Sequence, residues 1–172
     1  MKKFFVVLIM LLCCVNYALA QKSPFFKAMK NVETINYTVD FSKTKIDKYS
    51  VEDYTDLYLG TTIEQFKAKV ENLIVNEANA CTEKISVKLS NDEESDIMLK
   101  INLIDVDLDG EHTLVCKLFQ KSTDGLISLF EVHKNGGSND NFIKEFSNRI
   151  SASGKEIGNN ILKIKKASLK AK

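Results

Sequence analysis

Residues 97–132 read IMLKINLIDVDLDGEHTLVCKLFQKSTDGLISLFEV, and this stretch decides the fold. Apolar side chains recur at every second position, the period of a strand with a buried face. Ile97, Leu99, Ile101 and Leu103 fall on one side of the first segment. Met98, Ile104, Val106 and Leu108 fall on the other, so 97–108 is apolar on both faces and belongs at the centre of a sheet. Asp109-Gly110 is a tight-turn signal, because both residues tolerate positive φ. Thr113 to Phe119 returns, Ser122-Thr123-Asp124-Gly125 turns again, and Leu126 to Val132 is the third strand. The pattern predicts an antiparallel meander.

Upstream, Ile35, Tyr37, Val39 and Phe41 alternate with polar residues as another half-buried strand. Ser50, with Asp53 three residues on, caps a short helical turn through Tyr58, and Gly60 ends it. Thr61 or Thr62 caps a helix reaching about Ala80, with Ile63, Phe66, Val70, Leu73 and Ile74 on one stripe. Ile85, Val87 and Leu89 alternate as a strand before the acidic loop 91–96. Downstream, a loop through Gly136-Gly137 leads into a helix over 141–166 with Phe142, Phe146, Ile150, Ile157, Ile161 and Ile164 on its apolar stripe. Gly154 and Gly158 lie four apart on a neighbouring stripe, which marks either close approach of another backbone or a weak point. The order β-α-β-β-β-β-α predicts an α+β domain: an antiparallel or mixed sheet of four to five strands packed by two main helices.

The amino terminus has the three-part pattern of a secretory signal. Lys2 and Lys3 precede the apolar run Phe4 to Leu12, and Ala18-Leu19-Ala20 offers small residues for cleavage. The run is too short to span a bilayer. Lipidation at Cys13 or Cys14 would need a small preceding residue, and Leu12 and Cys13 stand there instead. The expected organisation is a signal over 1–20, a flexible lead-in over 21–31, a single domain over 32–166 and a basic tail over 167–172. The expected location is periplasmic or secreted, with no integral membrane segment after cleavage. Without Lys2 and Lys3, 22 of the 24 basic residues face 23 acidic ones, a near-neutral balance that argues against nucleic-acid binding.

Few residues point to chemistry. Asp105-Val106-Asp107-Leu108-Asp109-Gly110 reproduces the opening of a calcium loop, three carboxylates at alternate positions and a glycine sixth. The twelfth position should be glutamate and is Cys116. The wet face of a strand followed by a hairpin turn explains the same residues without a metal. Cys81 and Cys116 can pair as a disulfide outside the cytoplasm, or be two small buried hydrophobes. His112 and His133 sit at strand ends, with no nucleophile-elbow serine and no phosphate-binding loop. Lys163, Lys165, Lys166, Lys170 and Lys172 form a basic carboxyl end, suited to an anionic surface or simply to the helix dipole.

The two-faced strand, the Asp109-Gly110 hairpin, the Lys121-Ser122-Thr123-Asp124-Gly125 turn, the Gly136-Gly137 loop and the Ser153-Gly154-Lys155-Glu156-Ile157-Gly158 helix together resemble small exported proteins of Bacteroidetes bacteria. The order of elements is also similar to the amino-terminal domain of the Tol translocation protein. That likeness implies work by protein contact in the periplasm, and neither likeness carries catalytic residues onto this chain. The expectation is an exported, non-enzymatic binding or accessory module of the envelope with a protein partner. One alternative is a calcium-dependent protein using Asp105, Asp107 and Asp109. The other is a hydrolase whose residues meet only in the fold, recognisable by a His beside a Ser, Cys or carboxylate in a pocket.

Overall fold

A computed structural model describes residues 24–91, 93–137 and 141–170. The expected signal over 1–20, with Cys13 and Cys14, lies outside the described residues. The strands are β1 (Thr34–Asp40), β2 (Lys45–Ile46), β3 (Tyr49–Ser50), β4 (Lys88–Ser90), β5 (Ile97–Val106), β6 (His112–Gln120) and β7 (Gly125–Lys134). The long helices are α1 (Ile63–Thr82) and α2 (Phe142–Lys170). The fold is α+β, as the sequence pattern predicts.

β4, β1, β5, β6 and β7 lie side by side. β1 is parallel to β4 and β5, whereas β5, β6 and β7 form the antiparallel meander. β2 continues along the edge of β5 beyond β1, Lys45 opposite Asp105 and Ile46 opposite Val106, and β3 pairs with β2. β5 is therefore central, as its two apolar faces predict. A bulge between Leu103 and Val106 turns Val106 back toward the core, where it is buried.

Both helices lie against one face of the sheet. Ile35, Leu99, Ile101, Leu103, Leu114, Leu118 and Ile127 meet Ile74 of α1 and Ile150, Ile157 and Ile161 of α2, all fully buried. Thr62 caps α1 in a reciprocal box: its hydroxyl accepts from the Gln65 amide while the Gln65 carboxamide accepts from Thr62 N–H. Asn141 caps α2, its side chain accepting from Lys144 N–H at 3.0 Å. Gly154 and Gly158 lie where the helices cross. A Cβ on Gly154 would stand 2.5 Å from Ile74 O, and one on Gly158 2.6 Å from Ala78 O.

Three expectations need correction. Ile85 is not in a strand: Glu83–Ile85 is a 3-10 turn, Ser86 takes φ 52°, and β4 begins only at Lys88. The lead-in is structured from Pro24 to Asn31 as a 3-10 helix, with Met29 fully buried. The expected tail is helical as far as Lys170, with Ser168 fully buried. No helix among the described residues is long and apolar enough to cross a membrane.

Candidate functional site

The aspartate run serves the hairpin. Asp107 N–H donates to Glu111 O, and Gly110 N–H, at φ 84°, donates back to Asp107 O. Asp109 turns its carboxylate to its own turn, accepting from Glu111 N–H at 3.2 Å. Its backbone carbonyl accepts from Gly137 N–H at 2.9 Å. Gly136 and Gly137 lie against the carboxylates of Asp109 and Glu145 respectively, which a side chain at either position would displace. Among the described residues no three His, Cys, Asp or Glu side chains come together to hold a metal ion.

His112 does stand beside a serine. Its Nε2 lies 2.8 Å from Ser153 Oγ on α2, and its Nδ1 lies 2.9 Å from Gly110 O. The neutral tautomer that fits carries its proton on Nδ1 and donates to Gly110 O, so Nε2 accepts from the serine hydroxyl. The contact resembles a nucleophile–base pair, but His112 is 2 % exposed and Ser153 0 %. The ring also stands edge-on to Phe146. His112 and Ser153 are both closed off from solvent in this structure, and the pair ties the β5–β6 turn to the middle of α2. Burial lowers the His112 pKa below its ordinary value, against the hydrogen bond to Gly110.

The remaining candidates are dispersed. Cys81 and Cys116 are both free thiols in this structure. Cys116 lies in the core on β6, where burial pushes its thiol pKa far up. Cys81 is half-buried on α1, its sulfur 3.6 Å from Lys155 O. Lys165 is no part of a solvated tail. It is 6 % exposed, and its ammonium donates to Lys30 O at 3.0 Å and Val32 O at 2.8 Å. His133 is exposed, 3.8 Å from Glu111 and 3.1 Å from Thr113 Oγ1.

Among the described residues nothing covers the sheet face away from the helices. Alternation puts Met98, Lys100, Asn102 and Ile104 of β5 there, with Val115, Lys117 and Phe119 of β6. On β7 a bulge opposite Leu118 and Phe119 shifts the phase, so that Leu126 and Leu129, each 43 % exposed, both emerge on this face. Met98 faces Phe119, Phe119 faces Leu126, and Lys117 faces Leu129. At the centre, Lys100 and Lys117 are direct cross-strand neighbours, an unfavourable like-charge pair. Asp40 and Asp124 relieve it, with ammonium–carboxylate distances of 3.0 and 3.4 Å, and Lys117 lies over the Phe119 ring at 4.7 Å. Hydrogen bonds from Ser42, then the Lys100 ammonium, hold the Asp40 carboxyl well below the usual carboxylate range. The face thus carries an apolar band around two lysines whose ion pairs are solvent-accessible. The sequence marks half of it: Met98 and Ile104 are legible as the second face of a strand, but the β7 bulge that exposes Leu126 and Leu129 together has no local signal.

No family model matches the chain, and no curated protein matches it. Solved structures do. Protein XCC0632 from Xanthomonas campestris, assigned to the family DUF330, superposes with a TM-score of 0.53 at 14% identity, over 80% of this chain and 87% of that one. The PelC dodecamer subunit from Paraburkholderia phytofirmans gives 0.43 at 11%, over 72% and 87%. A minor lipoprotein from Acinetobacter baumannii gives 0.38 at 11%, over 80% and 94%. At such identity the first likeness concerns the fold alone, and the other two add nothing to it.

Proposed function

We propose that this chain is an exported, non-catalytic accessory module of the cell envelope that holds a protein partner on the open face of its sheet. The observation that carries the reading is the uncovered band Met98, Ile104, Val115, Phe119, Leu126 and Leu129 around Lys100 and Lys117. Contiguous apolar surface on a soluble domain marks contact sites more often than chance. The lysine pair gives the partner a chemistry: an apolar surface carrying carboxylates, which can replace Asp40 and Asp124 in exposed ion pairs worth at most about 1 kcal/mol each. The amino-terminal signal supports the compartment, and the burial of His112 and Ser153 speaks for a structural rather than catalytic use of that pair.

The test is crosslinking capture from envelope fractions with the full-length chain, alongside Leu126→Asp/Leu129→Asp and Lys100→Glu/Lys117→Glu variants of unchanged circular dichroism. The expected result is one protein enriched by the wild type, lost with both variants and released by salt. A capture profile identical for wild type and variants would overturn the reading. So would sedimentation showing that the face is already filled by a second copy of the chain.

A further inference from the structure

At the end of the molecule where both long helices begin, a cavity of about 160 Å³ opens between them. Its walls are Leu59, Phe66, Val70, Leu73, Phe142 and Phe146. The three phenyl rings stack in sequence as offset, nearly parallel planes, Phe66 on Phe146 at 5.8 Å and Phe146 on Phe142 at 5.4 Å, and form an aromatic wall. Protein interiors leave few voids larger than a water molecule. An apolar chamber of roughly this size stays dry and accepts a guest as large as benzene, about six carbons.

The mouth has a different character. Thr61, Gln65, Lys69 and Ser147 border it. Thr61 donates to Gln65 Oε1, which is also held by the α1 cap. Lys69 is exposed and makes no ion pair among the described residues, and the Ser147 hydroxyl has no partner among them. A π-helical turn, Thr55–Leu59, delivers Leu59 to the chamber and leaves Leu57 and Tyr58 exposed beside it. Such turns are rare and concentrate at functional sites.

A recessed apolar end, a cation at the mouth without an ion pair among the described residues and a free hydroxyl define an amphiphile with an anionic head. We propose that this cavity binds a medium-chain fatty acid, its alkyl tail against the phenyl wall and its carboxylate on Lys69 and Ser147. The volume sets the tail at roughly six carbons within the chamber.

The experiment is a titration of the full chain with butanoate, hexanoate, octanoate and octanol, followed by amide chemical shifts. Each methylene buried adds about fourfold in affinity, so affinity climbs steeply from butanoate and levels off near octanoate, with shifts centred on Phe66, Val70 and Phe142. Lys69→Gln, an exposed change that leaves the fold intact, weakens octanoate up to about fivefold and leaves octanol unchanged. Ser147→Phe fills the mouth and blocks both. The proposal is overturned if millimolar octanoate shifts none of the chamber residues. It is equally overturned if affinity rises with chain length regardless of Ser147→Phe, which is surface partitioning, or if Lys69→Gln affects octanoate and octanol alike.

Discussion

A Cβ on Gly158 would crowd Ala78 O and the Cys81 Cβ, and one on Gly154 would crowd Ile74 O, each closer than 3.0 Å. Alanine at either position gains about 1 kcal/mol of helix propensity. It must also push two packed helices apart, which costs about 1–3 kcal/mol or more in a filled core. Both substitutions are therefore expected to fail to stabilise, and to lower stability by up to about 2 kcal/mol, in urea melts, the reverse of a free helix. The spacing was legible in sequence as a choice between close approach and weak point, and packing decides for the former. The partnership of His112 with Ser153 was not legible, because 41 residues separate them and nothing local marks the serine. Its consequence is a pH dependence. The unfolded chain binds a proton on this histidine near its usual pKa of about 6.5, while burial lowers the folded value. Stability from this group is full above that pH and declines as pH falls below it, by at most about 1.4 kcal/mol per unit. Between about pH 7.5 and 5 the wild-type midpoint should drop, and His112→Gln should be less stable at the upper pH with a flatter profile. An equally steep profile in the variant would remove His112 as the cause.

At the scale of elements, the lead-in shows what composition hides. Residues 21–31 read QKSPFFKAMKN, a mixed stretch without strand or helix periodicity that suggests a loose lead-in. What orders 24–31 comes from the far end of the sequence: Lys165 donates to the carbonyls of Lys30 and Val32, the orphan acceptors at the end of this 3-10 turn. Met29 then enters the core. Lysine reads as solvated in a run of lysines, and only the fold distinguishes Lys165 from Lys163 and Lys166. Lys165→Met keeps the aliphatic stem and removes the donor, leaving two part-buried acceptors without it, at about 1 kcal/mol each where water reaches them. Hydrogen exchange in the segment 24–33 should speed up markedly while the meander stays protected. Uniform acceleration across the chain would mean that Lys165 supports the whole core rather than this clasp. The lost strand at Ile85 has a similar origin: apolar alternation at 85, 87 and 89 continues through Ser86, whose φ of 52° breaks the strand. Alternation reports which side chains are buried, and here Val87 and Leu89 are, but not the backbone between them.

For the molecule as a whole, the decisive asymmetry is that helices cover one face of the sheet and nothing among the described residues covers the other. The meander was legible because turn chemistry and period agree along 97–132, and the two helices because caps and apolar stripes agree at Thr62 and along 142–164. The consequence of β5 being apolar on both sides was only half legible. Centrality in the sheet followed from it, whereas burial of the second face did not, since that needs a third layer. This separates two kinds of apolar residue in one sheet. Ile101 is fully buried between the sheet and the helices, and Ile101→Ala should cost about 2–5 kcal/mol. Leu126 and Leu129 on the open face are each 43 % exposed, and replacing both by Asp should change stability by less than about 1 kcal/mol. A domain that gains little stability from two exposed leucines nevertheless keeps them beside a lysine pair, and that is intelligible if they act in association. The two classes part in one experiment, urea melts beside sedimentation in the envelope extract. Ile101→Ala should shift the urea midpoint and leave association of the remaining folded fraction intact. Leu126→Asp/Leu129→Asp should do the opposite. A large loss of stability from the leucine pair would make this face part of the core, and the partner surface would then have to be sought elsewhere on the molecule.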